Sequence, residues 1–149
     1  MFNFFKKPRQ HNNGVLDKQM LPASDKIALL TANALGLTLM LCKHSPNYEH
    51  KIGTCFARGY IVGYFDAARQ IAGLQFNDSE EFVAYLIKGH MDLFGNEMDN
   101  AMGYCLLSVL HFQQDSQYIR GRETGGREYF EFRKGALQTA FSLGEFLRK

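Results

Sequence analysis

Tryptophan is absent from this chain, and proline and cysteine occur only three times each. With so little proline beside thirteen Phe and seven Tyr, the chain lacks the turn punctuation of an all-β protein and suits a helical core built on aromatic anchors. Cys42, Cys55 and Cys105 make an odd set without a CxxC pair, which fits neither a disulfide framework nor a zinc ribbon and leaves buried, reduced thiols as the expectation. Also missing are the GxxxxGK[ST] and GxGxxG phosphate loops, the HExxH and GxSxG hydrolase motifs and the Glu-x-x-His pair of di-iron bundles. Those absences weigh against catalysis but leave open a site assembled from residues far apart in the chain. A net charge of +2 is too small for a nucleic-acid footprint. The opening MFNFFKKPRQHNNG sets its basic residues after its aromatic ones and has no apolar run of a secretory leader, so a cytoplasmic location is expected. There is no internal repeat and no low-complexity tract.

What is present fits one domain. At 149 residues, 46% of them hydrophobic and 21% charged, a single core suffices without staples. The stretch Cys55 to Ala72, CFARGYIVGYFDAARQIA, carries small residues at Cys55, Gly59, Gly63 and Ala67. On a helix these fall every fourth position and form one smooth ridge. Two glycines inside a helix cost roughly 1 kcal/mol each relative to alanine, so a close neighbour is needed to offset them. An earlier helix is expected from the N-caps Ser24 or Asp25 to about Lys43, uncharged from Ile27 to Cys42, with a second small-residue ridge at Ala28, Ala32 and Gly36. That run, interrupted by Thr31, Asn33 and Thr38, reads as a helix buried on most sides and not as a membrane span, which needs about 20 apolar residues. A turn near His44 and Ser45, with Pro46 as first helical residue, would fold the two long helices into an antiparallel hairpin, ridge against ridge. Cys42 and Cys55 would then be neighbours. His44 and His50 diverge from them around the helix, so no metal and no other cofactor is expected.

Further on, Gly73 reads as a C-cap and Asp78 with Glu81 as a capping box opening a helix through Phe82, Val83, Leu86, Ile87, His90 and Phe94. Gly95 and Asn96 should close it, and Met98, Ala101, Met102, Cys105, Leu106, Val109 and Phe112 outline the next. The segment SQYIRGRETGGREYFEF admits two readings. Its glycines and alternating Tyr and Arg suit a short β-hairpin within 117–133, or a loop leading to a last helix from about Arg127 to Leu147; the second is preferred. The expected fold is therefore all-α: a loosely ordered segment over residues 1–20, then one bundle of about five helices over 21–149 with a central antiparallel hairpin.

Leu39 to Cys42, then Cys55 and GYIVGYFDA from Gly59 to Ala67, resemble the signature of the Rap/Tai immunity proteins of bacterial type VI secretion, in which a cysteine precedes a GYI-x-G-x-x-DA helix. Asn77 to His90 would correspond to that family's next helix. The likeness covers about a third of the chain, and the family's cleaved leader and terminal proline–cysteine have no counterpart in this sequence. It implies a non-enzymatic inhibitor that binds a toxin, with Cys42 bonded to Cys55.

The expected function is protein binding without catalysis, as an adaptor or inhibitor or, as the resemblance implies, an immunity protein. The expected contact residues are Tyr118, Arg120, Arg122 and Arg127, because arginine and tyrosine are enriched in binding hot spots and the nearby glycines let a partner approach the backbone. Three arginines against Glu123 call for a partner with an acidic surface. Two alternatives differ in class: a small helical enzyme using His90 or His111 with Asp92 or Asp66, and a subunit of an obligate oligomer. Phe2, Phe4 and Phe5 with Lys6, Lys7 and Arg9 also have the composition for touching an anionic membrane, the alternative being a terminus tucked onto the core.

Overall fold

The computed structural model describes residues 21–137 and 139–149. The expected loose segment at residues 1–20, with its candidate membrane tip, lies outside them. Among the described residues the chain is entirely helical: α1 (Ala23–Cys42), α2 (Tyr48–Ile52), α3 (Cys55–Ala72), α4 (Ser79–Phe94), α5 (Ala101–His111), α6 (Ser116–Arg133) and α7 (Phe141–Arg148), with a 3-10 turn at Gly95–Glu97. The all-α reading stands. The count of about five helices becomes seven, because one expected helix is two and a short one lies between the long pair.

α3 is the central element. Every residue from Gly59 to Phe65 is buried, nearly two full turns, so the helix has no solvent side at its middle. Its ridge meets α6, which carries a glycine ridge of its own at Gly121 and Gly125. A methyl group added at Gly59 or Gly63 would collide with the backbone carbonyl of Tyr118 or Arg122, and one added at Gly121 or Gly125 with that of Phe56 or Tyr60. The contact is backbone on backbone in both directions. α3 and α6 form the most extensive helix pair in the molecule, whereas α1 packs chiefly on α4. The expectation of the Ala28, Ala32 and Gly36 ridge facing the α3 ridge is thus replaced by two separate interfaces. Alanine methyls hold backbones apart, so the two glycine ridges, which match each other in spacing and depth, give the closer approach.

The β-hairpin within 117–133 is not present, and the loop reading fails too: that segment is α6. Asp115 caps it, accepting from the amides of Gln117 and Tyr118 at 2.8 and 3.0 Å. Its glycines, read as loop formers, are the residues that α3 requires. The single helix expected over 127–147 is split after Arg133, where Gly135 takes φ 77°, a left-handed conformation only glycine adopts freely. α7 then folds back onto α1: the Ala140 amide donates to Thr38 Oγ1 at 3.3 Å and the Cys42 thiol to the Gly144 carbonyl at 3.7 Å.

The caps of α4 and of the end of α3 read correctly, whereas the expected N-caps Ser24 and Asp25 fall inside the first turn of α1, which starts at Ala23 after Pro22. Asp78 caps α4 through the Glu81 amide at 2.9 Å, and Glu81 reaches back to the Asn77 amide at 2.9 Å. Gly73 closes α3 in the left-handed region at φ 70°. At the α1–α3 connection Asn47, not Ser45, precedes the short α2, with φ 62°. This extra turn of helix is what carries the chain away from a tight hairpin.

Candidate functional site

The residues singled out on α6 separate into two kinds. Tyr118 is only 2% exposed: it belongs to the core, with burial raising its phenol above the usual range, and reaches the surface only in the lining of the groove between α3 and α6. Arg120, Arg122 and Arg127 stand on the exposed side of the helix. They lie between two grooves. One, of about 630 Å³, runs between α3 and α6 and is lined by Asp66, Gln113, Ile119, Arg122, Arg127 and Phe130 among others. The second, of about 590 Å³, lies between α6 and α7 and includes Phe56, Arg120, Arg127, Phe141, Glu145 and Lys149. Arg127 borders both. α6 is therefore a rib held from behind by backbone contact with α3, and its arginines project from the side away from that contact.

Charge on this rib is more balanced than the sequence suggests. Asp66, at the first groove, accepts from Arg69 at 2.8 Å and from Arg122 at 3.5 Å, so Arg122 is partly engaged within the molecule. Glu123 lines both grooves and Glu131 the first. Arg120 lies with its guanidinium 5.9 Å from the Phe56 ring and, like Arg127, has no carboxylate among the ion pairs of the described residues. Of the three arginines these two are therefore more available to an acidic partner than Arg122.

Beneath the rib lies a carboxylate that sequence reading missed. Glu128 is 6% exposed and accepts hydrogen bonds from the Tyr60 hydroxyl, the Ser142 hydroxyl and the Ser142 backbone amide, the last at 3.1 Å. It joins α3, α6 and the first turn of α7. A carboxyl group this deep is tolerated because every partner is a donor. Nothing in the local sequence distinguishes it from a solvated Glu; the informative signal, Tyr60 and Ser142 converging on it, exists only in three dimensions.

The candidate enzymatic residues do not converge. His90 is wholly buried, stacked 5.6 Å from the Phe65 ring, with Phe94 and Tyr104 around it. Its Nδ1 lies 2.7 Å from the Leu86 carbonyl and its Nε2 has no hydrogen-bond partner. Burial pushes its pKa down to about 4. Asp92, two residues on, is paired with Lys88 at 2.5 Å. His111 is exposed at the end of α5 beside Phe112, while Asp66 is held by its two arginines. No group of three or more His, Cys, Asp or Glu with metal-binding geometry occurs among the described residues. Cys42, Cys55 and Cys105 are free thiols: Cys42 faces Gly144, and Cys55 lies beside Asp115.

A second surface lies on α1. Its inner face, Ala28, Thr31, Ala32, Leu35, Thr38, Leu39 and Cys42, is buried. Its outer face is not: Leu30, Leu37, Met40 and Leu41 are between 50% and 65% exposed. A helix buried on most sides was expected, and this one is buried on one. By length and composition it could cross a membrane, yet the inner face is committed to α4, α3 and α7. Comparison with protein-family models, curated proteins and solved structures finds no match to this chain.

Proposed function

We propose that this protein is a non-enzymatic protein-binding module of inhibitor, adaptor or immunity type, and that Arg120 and Arg127, with Arg122 beside them, contact an acidic surface of its partner. The observation that supports this reading most is the placement of these arginines along the exposed side of one rigid helix, between two grooves edged by Ile119, Phe130, Phe56 and Phe141. Cations over a floor of mixed apolar and aromatic residues are the usual make-up of a binding hot spot with a polar rim. An enzymatic reading has less support, since His90 is buried alone, Asp66 and Asp92 are already paired, and His111 is exposed at the end of α5. The resemblance of Cys42, Cys55 and Gly59 to Ala67 to immunity proteins points to the same class of function, with a toxin as partner.

The test is recovery of a partner from the native host on the immobilised protein, followed by the triple substitution of Arg120, Arg122 and Arg127 by alanine. Affinity should fall by at least roughly 2 kcal/mol, with a helical circular dichroism spectrum unchanged, because these side chains bury little core area. Full affinity for the triple variant across a range of salt would place the interface elsewhere.

A further inference from the structure

We infer that the groove between α6 and α7 is a peptide-binding cleft, and that its occupant is a partner segment in which carboxylate side chains flank an apolar one. This rests on the protein-binding reading above and deepens it: of the two grooves beside α6 it selects one, and it states the chemistry of what enters. Register comes first. Gln117, Arg120, Thr124 and Arg127 follow one another at steps of three and four, so they share one face of α6, and all four line this groove of about 590 Å³. From Arg120 to Arg127 the helix rises about 10 Å, which spaces the two guanidinium groups along the cleft. The groove is open because α6 and α7 are tied at one place: every hydrogen bond between them among the described residues runs from Ser142 to Glu128.

Charge distinguishes this groove from its neighbour. Between α3 and α6 three carboxylates, Asp66, Glu123 and Glu131, stand against two arginines, and Asp66 already engages Arg122. Between α6 and α7 the balance is reversed. Arg120 and Arg127 have no carboxylate among the ion pairs of the described residues, and Glu145 across from them is shared by Arg148 and Lys149 at 3.5 and 3.8 Å. Two guanidinium groups without partners, spaced along one cleft, complement carboxylates supplied from outside.

The opposite wall is aromatic. Phe56 and Phe146 pack with ring centroids 4.9 Å apart, and the Arg120 guanidinium lies 5.9 Å from the Phe56 ring. Phe141, at the start of α7, is 53% exposed at the edge of the groove. An apolar side chain entering between the carboxylates would cover Phe141 and lie against this pair, and arginine beside aromatic rings is the composition in which binding energy concentrates. A cleft of this volume takes in a few side chains of a segment, whereas a flat acidic surface would leave the rings in water.

The test is selection of a random peptide library, displayed on phage, against the immobilised full chain. Enriched sequences should carry Asp or Glu on both sides of an apolar residue. A synthetic peptide of the enriched sequence should lose at least about tenfold in affinity to Arg120→Glu and, separately, to Phe141→Asp, both at exposed positions, with helicity unchanged. Ile119→Ala and Phe130→Ala, which line only the other groove, should change it less than about twofold. Absence of enrichment overturns the inference, as does a consensus without acidic residues or a peptide indifferent to Phe141→Asp. Dependence on Phe130 overturns it too and moves the site to the groove between α3 and α6. The broader reading fails separately. A host partner lost on replacing the three arginines yet indifferent to Phe141→Asp keeps protein binding through α6 and overturns the cleft, whereas a host partner indifferent to the arginines overturns both.

Discussion

His90 and Glu128 are both buried polar side chains, and they meet the cost of burial in different ways. Glu128 is met by three donors, the Tyr60 hydroxyl and the Ser142 hydroxyl and amide, which satisfy its oxygens. His90 gives its charge up: with Nε2 unpartnered among aromatic rings, and the Arg58 guanidinium near enough to disfavour a second cation, only the neutral ring fits. Its folded pKa of about 4 lies below the ordinary 6.5, so between those values the unfolded chain binds a proton that the folded chain refuses. The contribution of neutral burial is therefore full above about pH 6.5 and is lost as pH falls toward 4, by about 3 kcal/mol in all. Urea unfolding at pH 7.5 and pH 4.5 should show this loss, and His90→Phe should remove it while changing stability little at pH 7.5. Equal pH slopes for parent and variant would mean that His90 is not the group responsible.

Among elements, the α3–α6 pair shows why half of an interface can be read and the other half missed. The ridge on α3 is legible because Gly59, Gly63 and Ala67 recur at the helical spacing amid aromatic residues that already argue for burial. Gly121 and Gly125 have the same spacing, but Arg120, Arg122, Glu123 and Gly126 around them argue for solvent, and the local signal for a turn outweighed the long-range one. Asp78 with Glu81, Gly73 and Gly95 were readable for the converse reason: a cap is completed within one turn of chain. The exposed leucines of α1 were hidden by composition, since an uncharged helix looks buried whichever side faces inward. Adjacent glycines on α6 allow a sharp check. At Gly125 a methyl would meet the Tyr60 carbonyl, while at Gly126 it would sit at an ordinary 3.5 Å from the Gly63 oxygen. Gly125→Ala should therefore destabilise by about 1–3 kcal/mol through overpacking. Gly126→Ala should be neutral or stabilise by up to about 1 kcal/mol, the usual gain of alanine in a helix. Thermal melts that move in the same direction for both would be inconsistent with backbone contact between α3 and α6.

At the scale of the whole molecule, the question is whether the two interfaces on either side of α3 open together. α3 is shared: α6 covers one side of it, α1, α4 and α5 the others, and α7 returns to clamp α1. An arrangement in which each helix is braced by at least two others should unfold as one unit. The three cysteines stand at suitable places to report this. Cys105 is fully buried on α5, its thiol pushed up to about 12 by burial, and Cys42 is 1% exposed where α1 meets α7, whereas Cys55 at the start of α3 is partly accessible. Burial and a raised pKa both suppress thiolate reactivity, so a thiol reagent should modify Cys55 first in the native protein and leave Cys42 and Cys105 until the chain opens. If opening is global, Cys42 and Cys105 should react at one common rate that rises with denaturant as the unfolded fraction rises. Faster labelling of Cys42 would show that α7 detaches on its own, taking with it the Ser142 contacts to Glu128. In that case the groove between α6 and α7, which Arg120 and Arg127 border, would be a site that widens for its partner and not a preformed one.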